Sequence, residues 1–488
     1  MSRFFGIDFG TTNSAVVLFD ARRTINRFTH VGDRDENPFP SVVAVDNLTQ
    51  QVSAGRVVKD QIITLREGGM HLVVESVKTN LDSDLVWTTP SRIWRAKDIT
   101  SELFKALSSR AEEVTGTPIR EAVVAIPIGM NARRRATLRQ AARSAGVEVQ
   151  AFISEPTAAY IAHLEELQPC RYAAVFDWGG GTLDISVLEV RDGCVMERYT
   201  DGSRKAGDYI DRVLADWVHT KIAEEHSLNV SFDNVAPDER HILMNEAERV
   251  KRKLQRDDAE REVIKLGRYA GLELVEQTVS QATLNDLLIR VVSESLDLLL
   301  RSVEEAGLAK EEIGKLIVVG GSSQLLLLQK ELLRRWPHPN IIFPREADWD
   351  IARGAAWLAA HPGCYRTSQS IGVVLADDHF HGIFPSRTRQ EDARSNLHFG
   401  LVEDATTANF NFAAVDGDES VIHIGELQTK CFGFRDELIE LVCGITPDLV
   451  FEATASSNST QQGGRTFRFD KIRWMYDVST SETSEAGS

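Results

Sequence analysis

Residues 177–186 read DWGGGTLDIS, and residues 8–14 read DFGTTNS. Each stretch follows an apolar run and places an Asp, a Gly turn and a Thr in the same order. The segments after the turns, SAVVLFD at 14–20 and LDISVLEV at 183–190, have the pattern of strands. In P-loop and Rossmann sites the Gly turn leads instead into a helix whose N-terminus holds the phosphate. The repeated stretch therefore predicts two β-hairpins and excludes both of those nucleotide-binding folds.

The tip of such a hairpin offers backbone N–H groups and a Thr hydroxyl, and its glycines let the backbone approach a phosphate closely. The Asp that ends each strand cannot itself bind phosphate, because like charges repel. It suits a hydrated Mg²⁺ or an attacking water instead. One copy alone is equally well explained as a tight turn without chemistry, but the repetition favours two facing hairpins that clamp a polyphosphate.

Composition places the chain among soluble globular proteins of more than one domain. It has 488 residues, a formal net charge of -17 and 42% hydrophobic residues, and one core rarely grows to that length. No apolar run reaches the roughly 18 residues of a membrane helix, and the N-terminus lacks the pattern of a signal peptide. The five cysteines have no paired spacing, so neither disulfides nor a zinc site is expected. The acidic balance disfavours nucleic acid, and we expect a cytoplasmic protein that binds neither nucleic acid nor membrane.

Strand-like and helix-like segments alternate up to about residue 360, which is typical of an α/β architecture. Strands are predicted at 15–19, 122–126, 173–176, 185–190 and 316–319, and helices at 131–146, 156–167, 238–256 and 284–306. The pattern breaks at HPGCYRT, 361–367, and β-rich runs follow it. We therefore expect an α/β domain at 1–362, a linker at 363–369, an all-β domain at 370–478 and a disordered tail at 479–488.

Two further motifs fit a nucleotide site. LIVVGGSSQ at 316–324 ends an apolar strand in two glycines and a serine. Such a turn can pass close under a purine ring, and Ser322 can hydrogen-bond to that ring. In NEAERVKRKLQ at 245–255, Glu248, Lys251 and Arg252 share one helix face at i, i+3 and i+4. An ordinary strand–helix turn and a solvated charged face are the alternatives.

Together these motifs resemble the DnaK-type heat-shock chaperones, the seventy-kilodalton class within the actin and sugar-kinase ATPase superfamily. GIDFGTTNS at 6–14 and FDWGGGTLDIS at 176–186 resemble the two phosphate hairpins of the family, and VVGGSS at 318–323 resembles its adenosine motif. ISEPTAA at 153–159 is similar to the helix between the two lobes, and AIPIGMNARRRAT at 125–137 to the stretch around the switch proline. The resemblance implies an α/β actin-like ATPase domain, duplicated and ribonuclease H-like, followed by an all-β sandwich domain.

The resemblance implies slow ATP hydrolysis, with ATP or ADP, Mg²⁺ and, as a further ion, K⁺ in the site. Asp8 and Asp177 would orient Mg²⁺ through water. The residues with an implied catalytic role are Lys78, Glu155, Thr182 and Asp184. The implied nucleotide-binding residues are Gly10, Thr11, Thr12, Asn13, Gly179, Gly180, Gly181, Thr182, Gly207, Glu248, Lys251, Arg252, Gly320, Gly321, Ser322 and Asp348. Pro127 and Arg135 would relay the nucleotide state to the second domain.

The C-terminal part resembles the peptide-binding β-sandwich of the family more loosely. LIELVCGITPDLVFEATASS at 438–457 is similar to its late strands, and FPSRTRQE at 384–391 stands in place of an early loop. An unfolded or extended polypeptide would bind there through backbone hydrogen bonds and a side-chain pocket. J-domain and nucleotide-exchange co-chaperones are further implied partners, and protein folding and stress response are implied roles.

Three features depart from the family. HPGCYRT lacks the acid-bracketed leucines of the family linker, which implies a different or weaker coupling between ATP and the β domain. No helical lid follows Val478, which implies weak and rapidly exchanging peptide. Ala151 stands four residues before Glu155, where relatives often carry an Arg that docks J-domain partners, so stimulation by such a partner is not expected.

Three functions remain open from the sequence. The leading one is an ATP-hydrolysing chaperone that couples nucleotide state to client binding. The second is a nucleotide-switched binding module or scaffold with little turnover, which the missing linker motif favours. The third is a small-molecule kinase of the same superfamily, which the β domain and the GGGTLD turn disfavour.

Overall fold

A computed structural model describes residues 3–23, 27–164, 170–256, 259–337, 340–401, 405–415, 420–432, 437–457 and 464–478. The expected tail at 479–488 lies outside the described residues. Within the ranges described, no helix combines the length and the apolar character needed to cross a membrane.

The strands of the described residues extend over the whole chain. In chain order they are β1 (Arg3–Asp8), β2 (Asn13–Asp20), β3 (Phe28–His30), β4 (Phe39–Pro40), β5 (Val42–Asp46), β6 (Val52–Ala54), β7 (His71–Glu75), β8 (Val86–Thr89), β9 (Arg92–Arg95), β10 (Glu121–Ile126), β11 (Glu148–Ser154), β12 (Tyr172–Trp178), β13 (Leu183–Arg191), β14 (Cys194–Ser203), β15 (Arg261–Tyr269), β16 (Leu272–Ser280), β17 (Ile313–Val319), β18 (Ile341–Ile342), β19 (Tyr365–Thr367), β20 (Ser370–Val374), β21 (Phe380–Phe384), β22 (Arg394–Gly400), β23 (Thr407–Val415), β24 (Val421–Lys430), β25 (Leu438–Ile445), β26 (Phe451–Ser457), β27 (Arg465–Phe469) and β28 (Trp474–Asp477).

The α-helices of the described residues lie before residue 361. They are α1 (Arg56–Asp60), α2 (Ile62–Glu67), α3 (Ala96–Thr115), α4 (Ala132–Ser144), α5 (Glu155–Ala162), α6 (Gly207–His226), α7 (Pro237–Arg256), α8 (Gln281–Glu305), α9 (Leu326–Arg335) and α10 (Asp350–Ala360). Asn131 caps α4 by accepting a hydrogen bond from the Arg134 backbone N–H at 2.9 Å, so the predicted helix start is confirmed. The helix predicted over 156–167 ends earlier, at Ala162, and residues 165–167 lie outside the described residues.

One arrangement of strands occurs twice in the α/β part. In the first sheet, of order β11-β10-β1-β2-β3, the hairpin β1–β2 is antiparallel and β1 pairs parallel with β10. In the second sheet the hairpin β12–β13 is antiparallel and β12 pairs parallel with β17. Both repeated sequence stretches therefore form hairpins at the centre of a mixed sheet, as their patterns predict. One large apolar core contains side chains of both sheets, such as Ile7 and Val175, and a second core contains the alternate side chains of the second sheet, such as Phe176.

Two helices cross between the sheets and fix their spacing. α5 follows directly from β11 of the first sheet, and α10 packs against both α5 and β1. A Cβ atom at Gly354 of α10 would overlap the carbonyl group of Ala158 in α5. Glycine is therefore required for the close crossing, and this crossing holds the start of α5 between the two hairpins.

The β domain is a sandwich of two four-stranded sheets. Their orders are β21-β20-β23-β24 and β22-β25-β26-β27, and all the pairings are antiparallel. Inward side chains alternate with exposed ones, as along β25, and together they form one core that includes Phe412, Leu441 and Phe451. Aromatic rings fill this core, since Phe412 stacks on Phe467 with ring centroids 4.9 Å apart.

The junction between the two parts differs from a simple linker. The segment expected as a linker, 363–369, contains β19, and the segment expected as the end of the β domain contains β28. Both strands extend the second sheet, whose order is β18-β17-β12-β13-β14-β28-β19. The chain thus enters the β domain from this sheet and returns to it, and Trp474 stacks on Tyr365 with centroids 4.4 Å apart.

Candidate functional site: two facing hairpin turns

The tips of the two hairpins face each other. A Cβ atom at Gly180 would lie 3.0 Å from the Thr12 hydroxyl, and one at Gly181 would lie 4.0 Å from the side chain of Thr11. The remaining turn residues, Gly10, Asn13 and Gly179, belong to the same two tips. The two Gly–Thr turns therefore lie opposite each other, as the repeated sequence stretch predicts.

A lysine and a glutamate meet below these turns. Lys78 Nζ donates to Glu155 Oε1 at 2.8 Å, and the two residues are only 8% and 7% exposed. Lys78 lies in a short 3₁₀ helix, Val77–Asn80, and Glu155 is the first residue of α5. Burial alone would lower the pKa of Lys78, but the negative charges of Glu155 and Asp8 outweigh the effect of burial. The pKa of Lys78 is therefore raised, and the lysine stays charged.

Three further carboxyl groups surround this pair. Burial, together with the Glu155 charge, raises the pKa of Asp8 to about 7 and raises those of Asp177 and Asp184. Asp8 is the last residue of β1, and Asp177 is the next-to-last residue of β12. Asp184 pairs with Asp177 across the second hairpin. Thr182 donates its hydroxyl to Asp184 Oδ2 at 2.7 Å. Mutually repelling carboxyls around a single lysine favour a bound cation.

This donor set fits Mg²⁺. The ion prefers oxygen ligands and keeps several waters, so carboxylates held near but not enclosing it are suitable. Asp8 and Asp177 supply such oxygens from the two opposite sheets, where burial and the neighbouring carboxylates raise the pKa of both, and the charge of Lys78 offsets that cost only in part. A cation between them would remove that cost.

The third motif packs behind the second turn. Ser322 donates its hydroxyl to the Gly179 carbonyl at 2.8 Å, and the Gly207 N–H donates to the same carbonyl at 3.1 Å. Gly320 has a φ of 84°, and a Cβ there would lie 2.5 Å from Asp177 Oδ1. Glycine is thus needed at this position by both conformation and space. A Cβ at the neighbouring Gly321 would lie 3.3 Å from Asp348 Oδ1, so the Asp348 side chain lies against this glycine turn.

The charged face of α7 is more ordered than a solvated surface. Lys251 is buried, and its Nζ lies 2.7 Å from Asp211 Oδ1 of α6. Arg252 pairs with Glu248 at 3.1 Å. Burial would raise the pKa of Glu248, but Arg252 and Lys251 lower it overall, so this carboxylate is charged. The predicted common face of Glu248, Lys251 and Arg252 is present, and Asp211 is a partner that the sequence reasoning missed.

Two other residues that the sequence reasoning missed support the turns. Ser41 donates its hydroxyl to the Gly10 carbonyl at 2.9 Å and also meets Ser14 at 3.0 Å. The backbone N–H of Asp208 donates to the Gly180 carbonyl at 2.8 Å. Neither Ser41 nor Asp208 belongs to a motif, and only their position in the fold identifies them.

The predicted relay residues lie toward the β domain. Pro127 follows β10, and its carbonyl accepts from the Met130 N–H at 3.2 Å. Arg135 on α4 is buried and donates to the carbonyls of Asp448, at 2.7 Å, and of Asp470, at 3.2 Å. Both acceptors belong to the β domain, so Arg135 joins the two parts.

A second arginine of α4 strengthens this contact. Arg139 Nε donates to Asp448 Oδ1 at 2.8 Å, and the carboxylate of Asp470 accepts from the Ala132 N–H at 3.0 Å. Asp470 thereby caps the N-terminus of α4 from the β domain, where a negative charge is favoured. The sequence motif ARRR identified Arg135 but not Arg139 or its partner.

Comparison with known protein families agrees with this geometry. A family model described as Hsp70 protein matches residues 4–377, more than three quarters of the chain, and ends just after β20. Proteins of this family are ATPases and chaperones that bind ATP or ADP with Mg²⁺, and their ATPase domain is actin-like. The expected fold class, an actin-like ATPase domain followed by a β-rich domain, is confirmed. The chain belongs to the Hsp70 family.

Proposed function

We propose that this chain is a slow ATPase and chaperone that holds nucleotide between the two turns and binds unfolded or extended polypeptide on its β domain. One observation carries the proposal: Lys78 and Glu155 form a buried pair close to Asp8 and Asp184, which flank the two glycine–threonine turns. A tight turn without chemistry gives no reason to bury a lysine among four carboxyl groups. A site that binds Mg²⁺ and a polyphosphate does give a reason to bury these charged groups together.

The proposed reaction is phosphoryl transfer to water. The turns at 10–13 and 179–182 would bind the phosphates, and Mg²⁺, when bound through water to Asp8 and Asp177, would neutralise phosphate charge. Lys78 would face the γ-phosphate. Glu155 and Asp184 would orient the attacking water, with Thr182 held by Asp184. Catalysis then depends on positioning and charge neutralisation, without a covalent intermediate.

The remaining nucleotide contacts follow from the same arrangement. Glu248, Lys251 and Arg252 would frame the adenosine from α7, opposite the turn at 320–322, and Asp348 would lie beside it. Because Gly207 has no side chain, it would leave space for the nucleotide behind the second turn. The proposed ATPase domain is 1–362, and Pro127 and Arg135 would transmit its nucleotide state to the β domain at 370–478.

We propose that clients bind in extended form along the β domain. The proposed mode is client binding by the strands of the β domain themselves, without the help of a helical lid. Nucleotide-exchange proteins are proposed as co-chaperones, whereas Ala151, in place of the docking Arg, argues against stimulation by a J-domain protein. The proposed compartment is the cytoplasm, which agrees with five cysteines that form no disulfide.

A scaffold with little turnover is the second candidate, and one observation favours it. The β domain is tied to the second sheet at both ends, through β19 and β28. A domain that is attached to the rest of the protein at both of its ends moves less readily than one that is attached through a single flexible linker. Nucleotide would then adjust the affinity for a partner by a small displacement of the joined parts.

The deciding experiment measures peptide affinity with ADP and with ATP, together with ATP turnover. The chaperone proposal expects measurable turnover and a difference in affinity between the two nucleotides. Equal affinities would exclude ATP-coupled client binding, because a ligand without differential affinity shifts no equilibrium. Different affinities with negligible turnover would identify the scaffold instead.

A further inference from the structure

The first turn of α5 is held in an unusual way. Ser154 occupies the N-cap position, where a serine side chain ordinarily accepts a hydrogen bond from the helix backbone. Here it makes no such bond. Its hydroxyl donates instead to Glu197 Oε1, and the Thr157 hydroxyl lies 3.0 Å from the same oxygen. The Ser154 and Thr157 hydroxyls also lie 2.8 Å apart, so the carboxyl group of Glu197 accepts hydrogen bonds from both.

Glu197 reaches this turn from another sheet. It lies on β14 of the second sheet, beside Met196 and Val195, which pair with β28. Ser154 ends β11 of the first sheet. The Glu197 carboxyl therefore joins the two sheets directly behind the first residue of α5. Burial raises its pKa, while the hydrogen bonds from Ser154 and Thr157 act in the opposite direction.

Glu155 and Pro156 lie between these two hydroxyl-bearing residues, and Glu155 directly follows Ser154. As the first residue of an eight-residue helix, it takes its position from the first turn. Its carboxylate accepts a hydrogen bond from Lys78 Nζ at 2.8 Å, and this contact fixes the direction of the side chain. A displacement of the turn by a fraction of an ångström would alter that direction, and catalytic positioning is sensitive at this scale.

We propose that Glu197 is a positioning residue for Glu155, which it orients by accepting hydrogen bonds from Ser154 and Thr157. Its contacts go to the helix turn and not to the two hairpin turns, so it acts through Glu155 and has no catalytic role of its own. This inference rests on the proposed function, since it requires Glu155 to take part in hydrolysis.

The test compares Glu197→Ala and Glu197→Gln in the full-length protein. The amide oxygen of Gln can still accept both hydroxyls, whereas Ala removes the acceptor. Glu197→Ala removes the acceptor of both hydrogen bonds and should lower single-turnover hydrolysis about tenfold, with ATP affinity within about twofold of wild type. Glu197→Gln should recover most of the rate. Unchanged turnover in Glu197→Ala, or an equal loss in Glu197→Gln, overturns the proposal.

A double variant separates positioning from a general structural effect. If Glu197 acts only through Glu155, Glu155→Ala with Glu197→Ala hydrolyses no more slowly than Glu155→Ala alone. Additive losses would overturn the inference and leave the proposed function intact. If Glu155→Ala itself retains full turnover, the proposed catalytic role of Glu155 fails, and the inference fails with it.

A milder pair covers the case in which Glu197→Ala does not fold. Thr157→Val keeps the side-chain shape but removes the hydroxyl, and Thr157→Ser keeps the hydroxyl. The valine variant should be slower than the serine variant, and equal rates would contradict the proposal. Ser186→Ala is the matched control, because this buried hydroxyl of β13 has no hydrogen-bond partner among the described residues. It should leave turnover unchanged.

Discussion

Lys78 and Glu155 are 77 positions apart in the chain, yet Lys78 Nζ lies 2.8 Å from Glu155 Oε1 in the interior. Replacing Lys78 with Ala should preserve ATP binding and abolish most hydrolysis. The loss should be about a hundredfold or more, as for a removed electrostatic group at a reacting centre. Turnover and nucleotide affinity measured on the same preparation will check this.

The matched control for that variant is Lys105→Ala. Lys105 is an exposed lysine of α3 that pairs with Glu102 at 2.8 Å. Its replacement should change neither turnover nor affinity. Wild-type turnover in Lys78→Ala would remove Lys78 from the mechanism.

Asp177 should set the dependence on Mg²⁺. Chelation of Mg²⁺ should reduce wild-type ATP turnover to near background. In Asp177→Asn, loss of a water-mediated carboxylate contact should weaken Mg²⁺ binding about tenfold, or about 1.4 kcal/mol. Titration of Mg²⁺ into the ADP-bound protein, followed by calorimetry, measures this. Asp201→Asn, at an exposed position of β14, should bind Mg²⁺ like wild type.

The ion pair between Arg139 and Asp448 should stabilise the contact between α4 and the β domain. Arg139 is 8% exposed, so Arg139→Ala leaves a partly buried carboxylate without its partner. We expect a loss of about 1–3 kcal/mol in the free energy of unfolding. Urea denaturation of Arg139→Ala, of Asp448→Ala and of the double variant will give the coupling energy between the two side chains.

Arg143 on the same helix provides the control for that cycle. Its pair with Glu148 is exposed, and such pairs contribute about 0–1 kcal/mol. Arg143→Ala should therefore be close to wild type in stability. A coupling energy near zero between Arg139 and Asp448 would show that the contact does not hold the parts together.

Local pattern was sufficient to predict the two hairpins, because each is decided by a few adjacent residues. The same holds for the start of α4, where Asn131 is a strong N-cap. The return of β28 to the second sheet was not predicted. Its sequence, WMYD, resembles the neighbouring strands of the β domain, and its pairing with β14 joins residues far apart in the chain. Such pairings depend on packing, which local pattern does not encode.

The same limit applies to the site. Motifs named the residues of the turns, since glycine and threonine have specific functions there. Asp211, Ser41 and Glu197 carry no motif, and each is identified only by the group it contacts. Supporting residues of this kind come from other elements of the fold, so the sequence around the site does not indicate them.

Asp211 should make stability depend on pH. Burial raises its pKa to about 6, although the charge of Lys251 opposes this. Between about pH 4 and 6 the unfolded state binds fewer protons at this residue than the folded state, so the free energy of unfolding falls as pH rises. The slope from this residue is at most about 1.4 kcal/mol per pH unit.

The measurement compares wild type with Asp211→Asn in urea denaturation across this pH range. The asparagine side chain does not titrate in this range, so the substitution removes the contribution of Asp211 to the pH dependence of stability. The difference between the two proteins should therefore vary with pH in favour of wild type at the acidic end. A difference that is the same at pH 4 and at pH 6 would contradict the raised pKa.

The strand β28 should be required for the stability of the second sheet. Tyr476 is buried opposite Val195 of β14 and Tyr365 of β19, and Trp474 stacks on Tyr365. Ending the chain at residue 470 removes these contacts and exposes two apolar strand edges. Loss of one buried aromatic side chain alone costs about 3–5 kcal/mol, so the truncated protein should unfold at a clearly lower temperature. Ending the chain at residue 478 retains β28 and should leave the melting temperature unchanged. Equal melting temperatures for the two truncations would mean that β28 does not stabilise the sheet.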